Sequence, residues 1–167
     1  MNKYGFWVIP ENTLYQELEK IIGSCSEKYQ SPVFTPHMTL HGVVSSTDEN
    51  VVKVTREAVK GLRPFSLEVG EVEFSSTYFQ CIFARVKTNA NLFNAHMALR
   101  HSFGMEEERV FMPHLSLVYG DFEMEKREKI TKEIDIKNKF FEAKEITIIR
   151  ADLPNPDTWE IVEQVKL

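Results

Sequence analysis

Two stretches of this chain carry the same chemistry. Pro36-His37-Met38-Thr39-Leu40 and Pro113-His114-Leu115-Ser116-Leu117 repeat the order Pro, His, apolar, hydroxyl, Leu. If each is a strand, alternation sends His37 and Thr39 to one face and Met38 and Leu40 to the other, with His114 and Ser116 set against Leu115 and Leu117 in the same way. One face packs, and the other presents an imidazole beside a hydroxyl. With five histidines and 167 residues, about 0.6 His-x-[Ser/Thr] matches arise by accident. The shared Pro, the alternating apolar positions and the similar surroundings therefore carry the signal, and a duplicated unit is the economical reading.

Two imidazoles across a groove can remove a proton on one side of a reacting phosphorus and deliver one on the other. Unperturbed histidine titrates near pH 6.5, so both protonation states are accessible, and no metal is required. Thr39 and Ser116 can donate hydrogen bonds to non-bridging phosphate oxygens and stabilise the charge that grows there.

Elements must position these groups. Residues 4–9 read as a strand closed by Pro10. Leu14, Leu18, Ile21, Ile22 and Cys25 then mark a helix from about Glu11 to Glu27. After the first His strand, Ser46 and Glu49 form a capping-box pattern before a helix through Val51, Val54, Ala58 and Leu62, which Gly61 helps to end. Phe65, Leu67 and Val69 alternate as a strand, and Val72 and Phe74 continue in the opposite phase, which predicts a bulge near Gly70. Tyr78 to Val86 reads as one central strand. A helix through Leu92, His96, Leu99 and Phe103 stops at Gly104, and a charged loop, 105–109, leads into the second His strand. Glu123 to Glu133 reads as a helix, with strands over 140–150 and 159–165 around a turn at 153–157.

Both halves run strand, helix, His strand, helix, strand. The expectation is an α+β fold of two similar lobes, each a largely antiparallel sheet with helices outside, around a central groove. No linker rich in Gly, Pro or Ser separates the halves, so residues 1–167 are expected to form a single domain.

Composition narrows the function. The hydrophobic fraction of 43% and charged fraction of 27% are those of a soluble globular protein. No apolar run approaches a membrane span and no secretory signal opens the chain, so a cytoplasmic location and no membrane association are expected. Net charge is −5 without a basic cluster, which argues against an extended nucleic-acid surface. Cys25 and Cys81 are expected to be buried free thiols. His37 and His41 have the i, i+4 spacing of a zinc helix, but on a strand they stand too far apart to share one ion, so no metal site and no cofactor are expected. His41 borders the groove if the strand continues, with a structural role favoured. His96 is expected to be a satisfied, partly buried residue and His101 a helix C-terminal one, both outside the site.

At these residues the chain resembles the 2H phosphoesterase superfamily, which is defined by two His-x-[Ser/Thr]-x motifs on a duplicated bilobal α+β scaffold. Within it the likeness is to the cyclic phosphodiesterases of the plant and yeast type, carried further by residues 4–10, 78–81, 111–119 and 158–160 and spanning nearly the whole chain. The resemblance implies hydrolysis of ADP-ribose 1″,2″-cyclic phosphate or nucleoside 2′,3′-cyclic phosphates, with His37 and His114 as acid and base and Thr39 and Ser116 on the phosphate. It also implies Trp7 and Tyr119 near the substrate; as core aromatics they need no ligand. By the same analogy His114 activates water and His37 protonates the leaving oxygen. The chain lacks the disulfide-forming cysteines of the plant enzymes, so a bridged loop over 104–112 is not expected. The alternatives are an RNA-end 2′,3′-cyclic phosphodiesterase or 2′-5′ RNA ligase-like enzyme, and a non-catalytic nucleotide-binding module. A small cyclic-phosphate partner and a monomer are expected.

Overall fold

The computed structural model describes residues 1–105, 110–151 and 155–167, the side chain of Asp157 excepted. Residues 106–109 of the expected charged loop and 153–154 of the expected proline turn lie outside the described residues; the rest of that turn leads into a 3-10 helix, Pro156–Thr158.

The first half comprises β1 (Asn2–Val8), α1 (Asn12–Tyr29), β2 (Met38–Ser46), α2 (Asp48–Ala58) and β3 (Phe65–Phe74). The second comprises β4 (Ile82–Val86), α3 (Ala90–Ser102), β5 (His114–Val118), α4 (Met124–Glu133), β6 (Phe140–Ala143), β7 (Glu145–Arg150) and β8 (Glu160–Lys166). Leu14, Leu18, Ile22 and Cys25 are the buried stripe of α1, as their spacing requires. Helix α2 begins one residue later than the capping box implied. Thr47, not Ser46, accepts the Asn50 amide at 3.3 Å, while Ser46 ends β2 and its Oγ accepts from the Asn50 side chain at 2.9 Å. That helix ends at Ala58, ahead of Gly61. None of the described helices is long and apolar enough to cross a membrane.

The strands form one sheet in the order β6-β3-β4-β5-β2-β1-β7-β8, antiparallel throughout. The two expected sheets are its two four-stranded halves, joined between β2 and β5 through one pair, Met38 with Leu115. Each half of the chain sends a strand across: β3 of the first pairs with β4, and β7 of the second pairs with β1. A register shift in β3 between Val69 and Val72 is the bulge that the phase change predicted.

Two expected strands differ. The stretch expected to continue from Tyr78 to Val86 begins only at Ile82. Before it the backbone turns, because local hydroxyls take its hydrogen bonds: Ser75 Oγ donates to the Gln80 carbonyl at 2.6 Å, and Thr77 Oγ1 accepts the Gln80 amide at 3.2 Å. The expected strand 140–150 is broken at Lys144 into β6 and β7, which stand at positions one and seven of the sheet order. One residue spans about 3.5 Å, whereas six strand spacings in a flat sheet cover about 29 Å. The sheet must therefore curl until its edges approach each other, and the Leu167 amide at the end of β8 donates to the Lys144 carbonyl at 2.9 Å.

Met38, Leu40, Leu115 and Leu117 are fully buried and belong to the main core, with α1 against β5 and α3 against β2. The other face of the same two strands holds the site.

Candidate active site

Antiparallel pairing of Met38 with Leu115 sets the site's register. Carried one residue either way, it places His37 opposite Ser116 and Thr39 opposite His114, so each imidazole faces the hydroxyl of the other copy. Beyond that one pair the strands part, and a cavity of about 650 Å³ opens there. All six residues expected to contact substrate line it: Trp7, His37, Thr39, His114, Ser116 and Tyr119.

The duplication extends to the hydrogen bonds. His37 Nδ1 lies 2.6 Å from the Thr35 carbonyl oxygen, and His114 Nδ1 lies 2.7 Å from the Met112 carbonyl oxygen. Carbonyls only accept, so in both rings Nδ1 carries the proton and Nε2 keeps the lone pair. The chain N-terminal to each motif thus sets tautomer and ring orientation together.

Neighbouring strands shape the surroundings. Trp7 stands opposite Thr39 on β1 and stacks on His37, with ring centroids 3.7 Å apart and 14° between planes. Trp159 meets Trp7 and His37 edge-on at 5.2 and 5.9 Å. On the other side, Arg85 of β4 stands opposite His114, and Phe83 packs against its ring at 5.2 Å. Ser116 Oγ donates to the Phe79 carbonyl at 3.3 Å. Tyr119 is buried and stacks on Phe34 at 3.8 Å, and burial pushes its phenol above the usual range.

Burial pushes His37 down to about 4, with the nearby His114 adding to the effect against the Thr35 carbonyl. Burial also lowers His114, helped by the Arg85 charge and opposed by the Met112 carbonyl. Both rings are neutral near pH 7 in the free protein. His41 is likewise held at about 4, by burial first and then by His96 and Arg100.

These shifts have a stability consequence. A histidine depressed from 6.5 to about 4 is neutral in the folded chain at pH values where the unfolded chain binds a proton. Stability is then complete above pH 6.5 and is lost as pH falls towards 4, by at most about 1.4 kcal/mol per pH unit for each ring. Thermal unfolding followed at closely spaced pH values is expected to show the midpoint dropping through that window, less steeply in a His41→Phe variant. A midpoint flat from pH 6.5 to 4 would contradict the burial of these rings.

Sequence reasoning places His96 outside the site, and the structure corrects this. It is half-buried and satisfied as expected, with Nδ1 2.8 Å from the Leu40 carbonyl oxygen, but it lines the cavity because α3 packs across β2. His41 also lines it. Trp159 and Phe79 enter the sequence reading as strand residues and through the resemblance, with no site role, and both reach the cavity wall. Their positions depend on strand crossing and on the turn before β4, which no local spacing reports. His101 stays exposed in the last turn of α3. Cys25 and Cys81 are free and buried.

A curled antiparallel sheet with helices on its outer face, and two His-x-hydroxyl motifs meeting at its centre, is the arrangement of a 2H phosphoesterase. A family model described as cyclic phosphodiesterase-like protein matches residues 1–167. The chain belongs to that family and is a phosphodiesterase, a hydrolase. A cyclic phosphodiesterase of Arabidopsis thaliana is 23% identical over 95% of this chain and 92% of its own length. Among solved structures, E. coli LigT complexed with 3′-AMP superposes with a TM-score of 0.63 at 14% identity, covering 99% of this chain and 98% of that chain. The protein TT0787 of Thermus thermophilus gives 0.66 at 13% identity over 99% of this chain and 97% of that one.

Proposed function

We propose that this enzyme hydrolyses small cyclic phosphates, ADP-ribose 1″,2″-cyclic phosphate or nucleoside 2′,3′-cyclic phosphates, by acid and base catalysis from His37 and His114. The observation that carries this reading is the matched anchoring of the two rings, each held through Nδ1 by the carbonyl two residues earlier and each lining the same cavity.

His114 takes a proton from water as the water oxygen bonds to phosphorus. The bond from phosphorus to one ring oxygen breaks, and His37 delivers a proton to that oxygen, leaving a phosphomonoester. The surroundings support this division. Arg85 beside His114 disfavours a proton there, which suits a base, whereas the face of Trp7 against His37 favours an imidazolium, which suits an acid. The phosphate's negative charge raises the proton affinity of His37 from its low value in the empty groove. Thr39 donates to a non-bridging oxygen, which becomes more negative in the transition state, and Ser116 does the same by turning its hydroxyl away from the Phe79 carbonyl. This chemistry calls on no metal. The acidic chain, with net charge −5, suits a small substrate better than a long RNA, and its two free thiols suit a cytoplasmic location.

The test is incubation with EDTA and a panel of nucleoside 2′,3′-cyclic phosphates, ADP-ribose 1″,2″-cyclic phosphate and RNA with a cyclic end, with products identified by phosphorus NMR. Ring opening of the small substrates is expected. Turnover confined to the RNA ends would replace this reading with an RNA-end enzyme, and tight binding without any product would replace it with a binding module.

A further inference from the structure

The cavity extends beyond the two motifs. At its other end stand His41 of β2, His96 and Arg100 of α3, Met105 and Phe111. His41 is 6% exposed, and among the described residues neither of its ring nitrogens has a hydrogen-bond partner. Buried polar groups are almost always paired, so an imidazole with both nitrogens orphaned asks for a partner that the described residues do not supply. The rings of His41 and His96 are 5.4 Å apart. His96 is held in place by the Leu40 carbonyl and by stacking on Phe111, with centroids 4.0 Å apart and planes 9° from parallel. Arg100 is fixed through Nε, which donates to the Met105 carbonyl at 2.8 Å.

We propose that His41, His96 and Arg100 form a second anion subsite, which binds a phosphoryl group that the substrate carries outside its cyclic phosphate. The inference rests on the proposed function, because the subsite shares a cavity with His37 and His114. Three groups that are cationic or can become so converge there, and burial first, then repulsion from His96 and Arg100, keeps His41 neutral in the empty groove. A phosphate oxygen accepts hydrogen bonds from Arg100 and from a protonated His41, and its charge offsets that repulsion. The nitrogens of His41 are shielded from bulk water, so solvent competes little for such a bond. A nucleotide with a 5′-diphosphate and a cyclic phosphate at the other end of its ribose has both features. A cyclic nucleotide with a free 5′-hydroxyl has only one.

The experiment compares kcat/KM for one nucleoside 2′,3′-cyclic phosphate with and without a 5′-diphosphate. Wild type is expected to favour the diphosphate form at least tenfold, and His41→Gln to reduce that ratio at least fivefold. Equal rates in wild type, or an unchanged ratio in a folded His41→Gln protein, would overturn the subsite. Should His41→Gln fail to fold, His96→Gln on the half-buried partner is read in its place by the same criterion. Calorimetry with inorganic diphosphate separates this inference from the catalytic one. The full chain carrying both His37→Ala and His114→Ala is expected to bind diphosphate and to lose at least tenfold in affinity when His96→Gln is added. No binding to the double variant overturns the subsite. Binding there, with no cyclic phosphate hydrolysed by wild type, leaves the subsite standing and removes the proposed function instead.

Discussion

Replacing His37 or His114 by Ala is expected to lower kcat on a cyclic phosphate by about 10²–10⁴-fold each, the range of a single general acid or base. In the proposed reaction each ring handles a different proton, so neither substitutes for the other. Because the two act in one transition state, the double variant is expected to be little slower than the poorer single variant, well short of the product of the two losses. KM is expected to change much less than kcat, since the proposed phosphate contacts of Thr39 and Ser116 remain. His37→Ala also leaves the Thr35 carbonyl without its donor and Trp7 without its stacking partner, so thermal unfolding is measured alongside to separate chemistry from stability. Two folded single variants with near-normal kcat would defeat the paired mechanism.

The second large effect belongs to Arg127, on α4 and 1% exposed. Its guanidinium is enclosed by backbone oxygens. Nε donates to the Phe122 carbonyl at 2.7 Å, and Nη1 donates to the Ser75 and Thr77 carbonyls at 2.7 and 2.8 Å. Nη2 donates to the Gly120 carbonyl and the Asp121 carboxylate, both at 3.4 Å. Asp121 is almost fully exposed, so the ion pair adds little, and the carbonyl bonds carry the effect. Arg127→Met keeps much of the volume but takes the donor from four carbonyls, in bonds that are partly or fully buried, at a cost of about 3–5 kcal/mol. For a chain of this size that corresponds to a fall in Tm of about 10 °C. Arg127→Lys is expected to recover little, because an ammonium lacks the planar fork that reaches both segments at once. The same bonds tie the turn before Phe79, whose carbonyl receives Ser116, to the residue after Tyr119. Activity is therefore expected to fall with stability. A melting temperature within about 2 °C of wild type, well inside the shift expected for such a loss, would show that the carbonyls find other partners.

Arg127 also shows where reading the chain stops. Within residues 123–133 it is one of many charged residues, and nothing in its spacing marks it as buried. Its burial follows from where the 75–77 and 120–122 turns meet α4. Tyr78 departs from its expected strand for a related reason: an apolar run implies a strand, but Ser75 and Thr77 sit close enough in sequence to take the backbone hydrogen bonds first. The 140–150 stretch has uninterrupted strand character, yet its two parts join different halves of the sheet, a choice made by available edges. His96 lies on a helix face that also packs, so position alone could not place it against the groove.

By itself, the order of residues determined the two motifs, the face each presents, the helix stripes and the bulge in β3. These depend on alternation, helical period and backbone conformation, which act over a few residues. Only the tertiary structure decided that one pairing, Met38 with Leu115, brings the histidines into one cavity, that carbonyls two residues upstream select the same tautomer in both, and that His41 and His96 stand at the far end. Those outcomes come from strand crossing and sheet curl. They bring together residues 77 positions apart in the chain, a separation over which sequence pattern carries no distance information.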